Sequence, residues 1–403
     1  MRITGVNKSF DVTVDLVGSK SESNRALMIG YYGGFTPRVK HISDSDDTKL
    51  LTEILNGING INDINAVKEI DCQNAGTVLR FLATALSFRP GDWILTGSDR
   101  MLQRPIGDLV DTLRTMGADI EYIGQEGFPP LKILGVGTRR ATSDVHVNIT
   151  RSSQFASSIL LAKPSRLYLN GDMSSLPYID MTIDVMKKFG IDIHREGRDI
   201  SIKPSEYQDI EYTVESDWTC ASYWYEIVAF SDNGRARLHN LHLDSKQGDA
   251  IVAKWFEQFG VKSVQDGNDI IIEKNRNIFF NDLSFDFTNN PDLYPTIAAT
   301  CAGLGIKGDF TGLHNLKYKE SDRVAAMTME LSRLGTDCVC PPVFDSHDDH
   351  RIAMALAPLA MKIGAIEINN ADVVSKSYPN FWKEVDSVIS TEAVRRSGEI
   401  STK

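Results

Sequence analysis

Cysteine is scarce in this chain: five in 403 residues, an odd number with no framework spacing, which excludes a small disulfide-stapled fold. The thiols are expected to be reduced. No apolar run approaches the roughly 18 residues that a membrane-spanning helix needs, and the opening Met1-Arg2-Ile3-Thr4-Gly5-Val6 has no apolar stretch of the kind a secretion signal carries. The cytoplasm is the expected location, with no membrane partner. Positive charge is also short, 43 Lys and Arg against 54 Asp and Glu for a net charge of -11, which argues against a nucleic-acid partner, whose footprint would be a basic face. A small anionic ligand stays possible, because cations clustered in a cleft override the average field. With 42% hydrophobic and 24% charged residues, the chain is neither disordered nor fibrous.

Metal-binding patterns fail on inspection. Cys338-Val339-Cys340 with His347 and His350 fits no zinc spacing well. Asp44-Ser45-Asp46-Asp47 opens like a calcium loop, but Lys49 stands where the loop needs Gly and Leu55 where it needs Glu. A helix N-cap is the better account of that segment.

What the chain does have is a recurring polar start to apolar runs. Gly18-Ser19-Lys20-Ser21-Glu22-Ser23-Asn24-Arg25 sets two cations and three hydroxyls ahead of Ala26-Leu27-Met28-Ile29. The free N–H groups of a first helical turn, together with Lys and Arg, suit a phosphate, although an ordinary Ser N-cap would read the same way. Similar starts follow at Asn74-Ala75-Gly76-Thr77, Ser152-Ser153-Gln154, Asp217-Trp218-Thr219, Asn290-Pro291-Asp292 and Asp349-His350-Arg351. A second series closes amphipathic helices on a glycine, at Gly117, Gly190, Gly260 and Gly335, with short β segments such as 198–202 and 268–272 behind them. A recurrence of roughly 70 residues points to six copies of an α/β unit, three in each of two domains.

Charged segments supply the rest. Arg100-Met101-Leu102-Gln103-Arg104-Pro105 places two arginines before a helix-starting Pro, and Asn315-Leu316-Lys317-Tyr318-Lys319-Glu320-Ser321-Asp322-Arg323 packs cations beside acids. Taken singly, such a run is more often a solvated face. With Arg351 and Lys376 added, there are too many cations for one phosphate, which suggests two anionic substrates held between two domains.

Seven segments in order resemble those of the 5-enolpyruvylshikimate-3-phosphate synthase family: 19–25, 74–80, 104–109, 152–155, 177–180, 319–323 and 349–351. The resemblance covers nearly the whole chain. It implies a two-domain enolpyruvyl transferase fold, an inside-out α/β barrel of six repeated βαβαββ units, three per domain. The chain would cross between domains near Asp15 and Glu215, so that 15–214 forms one domain and 1–14 with 215–403 the other. The implied reaction moves the enolpyruvyl group of phosphoenolpyruvate to the 5-hydroxyl of shikimate 3-phosphate by addition and elimination, with neither metal nor organic cofactor. A monomer is expected.

By the same resemblance, Ser21, Arg25, Ser152, Ser153, Gln154, Ser175, Asp292 and Lys319 would hold shikimate 3-phosphate, and Lys20, Gly76, Arg104, Gln154, Arg323, Arg351 and Lys376 phosphoenolpyruvate. Lys20, Asp292 and Glu320 would be the catalytic groups. Cations around Glu320 should lower its pKa, so it could act as an acid only if burial opposes them. Departures from the family pattern are Val17, Gln73 and Phe81, the last at a position that could shift Gly76 and Thr77 and so alter glyphosate sensitivity. The stretch Asn56 to Asp71 is short for a full repeat, and the polar tail from about Thr391 is expected to fray. Two rivals are an enolpyruvyl transferase acting on UDP-N-acetylglucosamine, whose relatives use a loop cysteine, and a non-catalytic anion binder. Cys72 and Cys220 fall near helix starts, against the first; the retained acids argue against the second.

Overall fold

A computed structural model of the chain describes residues 1–6, 8–59, 67–135, 137, 144–275, 281–334 and 341–392. Helices and strands alternate along its length, as the two periodicities of the sequence require. Six helices start at the polar clusters: Lys20–Gly33, Gly76–Ser87, Gln154–Leu161, Trp218–Phe230, Tyr294–Leu304 and His350–Leu356. Three start under a side-chain cap: Ser19 accepts from the N–H of Glu22, Asp217 from those of Thr219 and Cys220, and Asp349 from that of Arg351. Gly117, Gly190 and Gly260 take the left-handed conformation expected of them, while Gly335 lies outside the described residues.

Past their polar first turns these helices are largely buried, and apolar helices belong inside. Every residue of Trp218–Phe230 is buried, Trp218, Tyr223, Trp224 and Tyr225 among them. Each such ring removes roughly 150–250 Å² from water, on the order of 4–6 kcal/mol before entropy is subtracted. The sheets lie outside, with strands that alternate buried and exposed residues, as in Leu131–Gly135 and Asn233–Leu238.

Six sheets form among the described residues. Four share one topology: a parallel pair extended by an antiparallel pair. Val67–Asp71 and Gly91–Thr96 run parallel, then Leu131–Gly135 and Asp119–Tyr122 add antiparallel. The same order holds for the sheet of Val145–Asn148, Arg166–Asn170, Asp199–Ile202 and Ile193–Glu196, and for that of Ser9–Val14, Asn233–Leu238, Asp269–Lys274 and Val261–Asp266. In the fourth, Arg2–Val6 joins Val343–Asp345, Ala365–Asn369 and Ile389–Glu392. Thr391 and Glu392 pair with Ile3 and Arg2, and the rest of the polar tail expected to fray, 393–403, lies outside the described residues.

The remaining two sheets have two strands each among the described residues. Among the described residues, Arg38–Lys40 pairs with Glu211–Thr213 alone and Asp282–Asp286 with Lys307–Thr311 alone. The shortening expected at Asn56 to Asp71 falls on residues 60–66, which lie outside the described residues, as do 335–340.

Two hydrophobic cores result. One gathers residues from Ala26 to Val214; the other joins Ile3–Val17 to residues from Trp218 to Ile389. The two crossing segments run side by side, with the N–H of Ser19 donating to the carbonyl of Glu215 at 2.8 Å and Gly18 bridging Ser216. A Cβ at Gly18 would lie 1.9 Å from the carbonyl oxygen of His41, so only glycine permits this approach. No described helix is long and apolar enough to cross a membrane.

Candidate active site

Between the two cores lies a polar pocket lined by five of the six polar helix starts, while Asp217 of the sixth accepts from the N–H of Lys20 at 3.2 Å. Fourteen of the residues expected from sequence line it: Lys20, Ser21, Arg25, Gly76, Arg104, Ser152, Ser153, Gln154, Ser175, Asp292, Lys319, Glu320, Arg323 and Arg351. Lys376 stands one step behind, its Nζ 2.7 Å from Oδ1 of Asp47, which does line the pocket.

On the first-half side, the helix Lys20–Gly33 presents Lys20 and Ser21 in its opening turn and Arg25 one turn later. Arg25 is buried and donates to Oγ1 of Thr182 at 2.7 Å, Oγ of Ser157 at 3.1 Å and the carbonyls of Ser21 and Tyr178. Its guanidinium lies 5.7 Å from the centre of the Phe81 ring. Burial without a bonded acid pulls its pKa down to about 10. The departure at Phe81 therefore sits under the cation of this wall, on the inner side of a helix that opens at Gly76. A Cβ on Gly76 would meet Nη1 of Arg80 at 2.6 Å and Nη2 of Arg104 at 2.8 Å, so glycine here lets two guanidiniums approach the helix start. Arg80 donates to Oε1 of Gln154 at 2.6 Å, and Gln154 donates on to Oγ1 of Thr77 at 3.0 Å. Burial, then repulsion from Arg104, lowers Arg80 to about 9.

The second-half side is an ion-pair lattice. Asp292 accepts from Nη1 of Arg323 at 2.7 Å, Nη2 of Arg351 at 2.9 Å, Nζ of Lys319 at 3.2 Å and the hydroxyl of Tyr178 at 3.0 Å. Arg323, 1% exposed, also donates to Glu320 at 3.0 Å and to Asp349 at 2.8 Å. Across the cleft, Nη1 of Arg104 reaches Oε1 of Glu320 at 3.5 Å. Burial opposes ionisation of Glu320, but Arg104, Arg323 and Lys376 outweigh it and hold the carboxyl well below its ordinary value. Asp292 is likewise buried and likewise held low, by Arg351, Lys319 and Arg323. Both acids are thereby held as carboxylates.

Asp47 is a pocket residue to which sequence reasoning gave no role. The N-cap expected within 44–47 is Ser45, which accepts from the N–H of Thr48 at the helix start, and Asp47 bridges Nζ of Lys20 at 3.0 Å to Lys376. Burial works against its charge, and the two lysines overcome it. Arg80, Tyr178 and His350 also line the pocket; all three fall within or beside motifs already singled out, so spacing alone could have marked them. The thiols of Cys72 and Cys220 are buried, which pushes their pKa values up and leaves neither as an exposed acid. His347 is taken by Glu330 at 2.9 Å, and Cys338 and Cys340 lie outside the described residues.

Comparison with known proteins gives consistent results. The family model described as EPSP synthase (3-phosphoshikimate 1-carboxyvinyltransferase) matches residues 6–385. A 3-phosphoshikimate 1-carboxyvinyltransferase of Bacteroides fragilis (strain YCH46) is 39% identical over 397 residues, covering 93% of this chain and 94% of that protein. One from Sulfurovum sp. (strain NBC37-1) is 34% identical, covering 94% and 96%. A solved EPSP synthase of Acinetobacter baumannii superposes with a TM-score of 0.73 over 96% of this chain and 98% of that one, at 22% identity, a likeness of fold.

Proposed function

This chain belongs to the EPSP synthase family, and we propose that the pocket between its halves is where the reaction of that family takes place. The enzyme transfers the enolpyruvyl group of phosphoenolpyruvate to the 5-hydroxyl of shikimate 3-phosphate and releases phosphate. One observation carries the assignment of the site: two cations without bonded acids on one wall, Arg25 and Arg80, face ionised, buried carboxylates on the other. A phosphate binder needs the first and has little use for the second.

In this reading Ser21, Arg25, Ser152, Ser153, Ser175 and Lys319 hold shikimate 3-phosphate, and Gln154 stands between the substrates. Lys20, Gly76, Arg104, Arg323, Arg351 and Lys376 surround phosphoenolpyruvate. Asp292, already a carboxylate, takes the proton of the attacking hydroxyl as its oxygen adds to C2 of phosphoenolpyruvate. Glu320 delivers a proton to the methylene carbon. To do so it must first gain one, and anionic substrates supply the means: phosphate and carboxylate oxygens draw on Arg104, Arg323 and Lys376 and so release the hold on its pKa. Elimination then returns a methyl proton to the protein and expels phosphate.

Two domains are proposed at 15–214 and at 1–14 with 215–403, a division supported by the two separate cores. A cytoplasmic monomer is proposed as well, since one chain supplies every group named above. Phosphate release from phosphoenolpyruvate tests the function, with shikimate 3-phosphate in one reaction and UDP-N-acetylglucosamine in the other. Release with the first alone is expected. Release with the second alone would overturn the acceptor, and tight binding without release would leave only an anion binder.

A further inference from the structure

Arg100 lies outside the pocket and has no part in the roles above, yet it makes a dense contact across the cleft. Its Nε donates to the carbonyls of Lys319 at 3.2 Å and Glu320 at 3.0 Å, and its Nη2 to those of Lys317 at 3.0 Å and Lys319 at 2.8 Å. These carbonyls close a short 3-10 turn, Leu316–Tyr318, whose terminal C=O groups lack partners within the turn and carry partial negative charge. A planar guanidinium with several fixed donors suits such a fan of acceptors; a lysine ammonium offers one point of charge.

The placement is selective. Four residues on, Arg104 meets the side-chain Oε1 of the same Glu320. The first half thus grips Glu320 twice, by its main chain through Arg100 and by its carboxylate through Arg104. The segment so gripped also carries Lys319, whose Nζ reaches Asp292. We propose that Arg100 is a positioning residue, which docks the 317–320 segment of the second half onto the first and thereby sets where Glu320 and Lys319 stand for the reaction. The inference rests on the functional reading above for its kinetic consequence but not for the contact itself.

Arg100→Ala and Arg100→Lys test it. With the clamp gone, kcat should fall about a hundredfold, as a misplacement of about 1 Å at the reacting groups does, while the affinity for shikimate 3-phosphate alone, to which Lys319 is one contact among six, falls much less than kcat. The lysine variant should recover part of the loss. The pH profile should move too. Glu320 is faced by Arg104, Arg323, Lys319, Lys376 and His350, with Asp292 as its like-charged neighbour. Retreat from Arg104 weakens the largest attraction holding its pKa down, so the basic limb of kcat, where a proton-donating Glu320 ionises, shifts to higher pH. Unchanged kcat, or a lowered melting temperature with an unmoved pH profile, would overturn the proposal. Amide exchange over 316–323 in the protein without ligand should quicken about tenfold in Arg100→Ala, and no change there would also overturn it. If the parent chain itself releases no phosphate, the functional reading falls, and the exchange result still decides on the clamp.

Discussion

Arg25 and Arg323 are buried guanidiniums on opposite walls of one cleft, and they differ in the kind of partner they have. Arg25 gives its hydrogen bonds to hydroxyls and carbonyls, all neutral. Arg323 is spread over three carboxylates, those of Asp292, Glu320 and Asp349. A cation satisfied by dipoles keeps its net charge available to an incoming anion. A cation surrounded by acids has spent its field on holding them ionised. The first wall is therefore built to attract phosphate, and the second to keep carboxylates charged and fixed until a substrate disturbs them.

The sharpest way to separate the walls is Glu320→Gln. Loss of a proton carrier should lower kcat by on the order of a thousandfold, with shikimate 3-phosphate affinity, measured by calorimetry, little altered. A comparable loss of affinity would make Glu320 part of the binding wall and dissolve the distinction. Next comes Arg323→Met. It leaves three buried acids without their shared cation, so denaturant unfolding should show a loss of about 3–5 kcal/mol. Arg25→Met removes a cation that no acid depends on; stability should change far less, while shikimate 3-phosphate affinity drops by about 10- to 100-fold through lost charge-assisted bonds. Equal destabilisation by the two arginine variants would refute the contrast.

The smallest effect concerns an acid on which burial outweighs the pull of its one cation, Lys188. Glu22, in the first half, accepts from the hydroxyl of Tyr212 at 2.8 Å, and burial lifts its pKa to about 7. Its folded pKa is raised, so the stability it contributes is fully present below its unfolded value of 4.5 and is lost as pH rises through about 7. Glu22→Gln should flatten the decline in stability between pH 5 and 7.5 by on the order of 2 kcal/mol. An unaltered slope would assign that decline to Asp249 or Glu384, whose pKa values burial raises to about 6 and about 7. Asp292 and Glu320 act with the opposite sign. Held low, they contribute stability above the ordinary carboxylate range and lose it as the solution is acidified through their folded values.

Much of this was legible in the residue order. Ser19, Asp217 and Asp349 announce helix starts because an N-cap is satisfied within three residues, and Gly117, Gly190 and Gly260 announce helix ends because the left-handed conformation is a property of one residue. Their recurrence disclosed the repeated unit. Asp47 was not legible in this way. An acid in a first helical turn looks like any other until Lys376, 329 residues away in sequence, is brought to it.

What the sequence determined by itself was therefore local: where helices start and stop, which segments are apolar enough to be buried, and which charged motifs exist. What tertiary structure alone decided was pairing. Whether Arg25 meets a hydroxyl or an acid, whether Asp47 caps a helix or joins two lysines, and whether Glu320 is ionised all depend on distances between segments far apart in the chain. Burial and charge oppose each other at those acids, and the balance between them exists only once the two halves have closed around the same few ångströms.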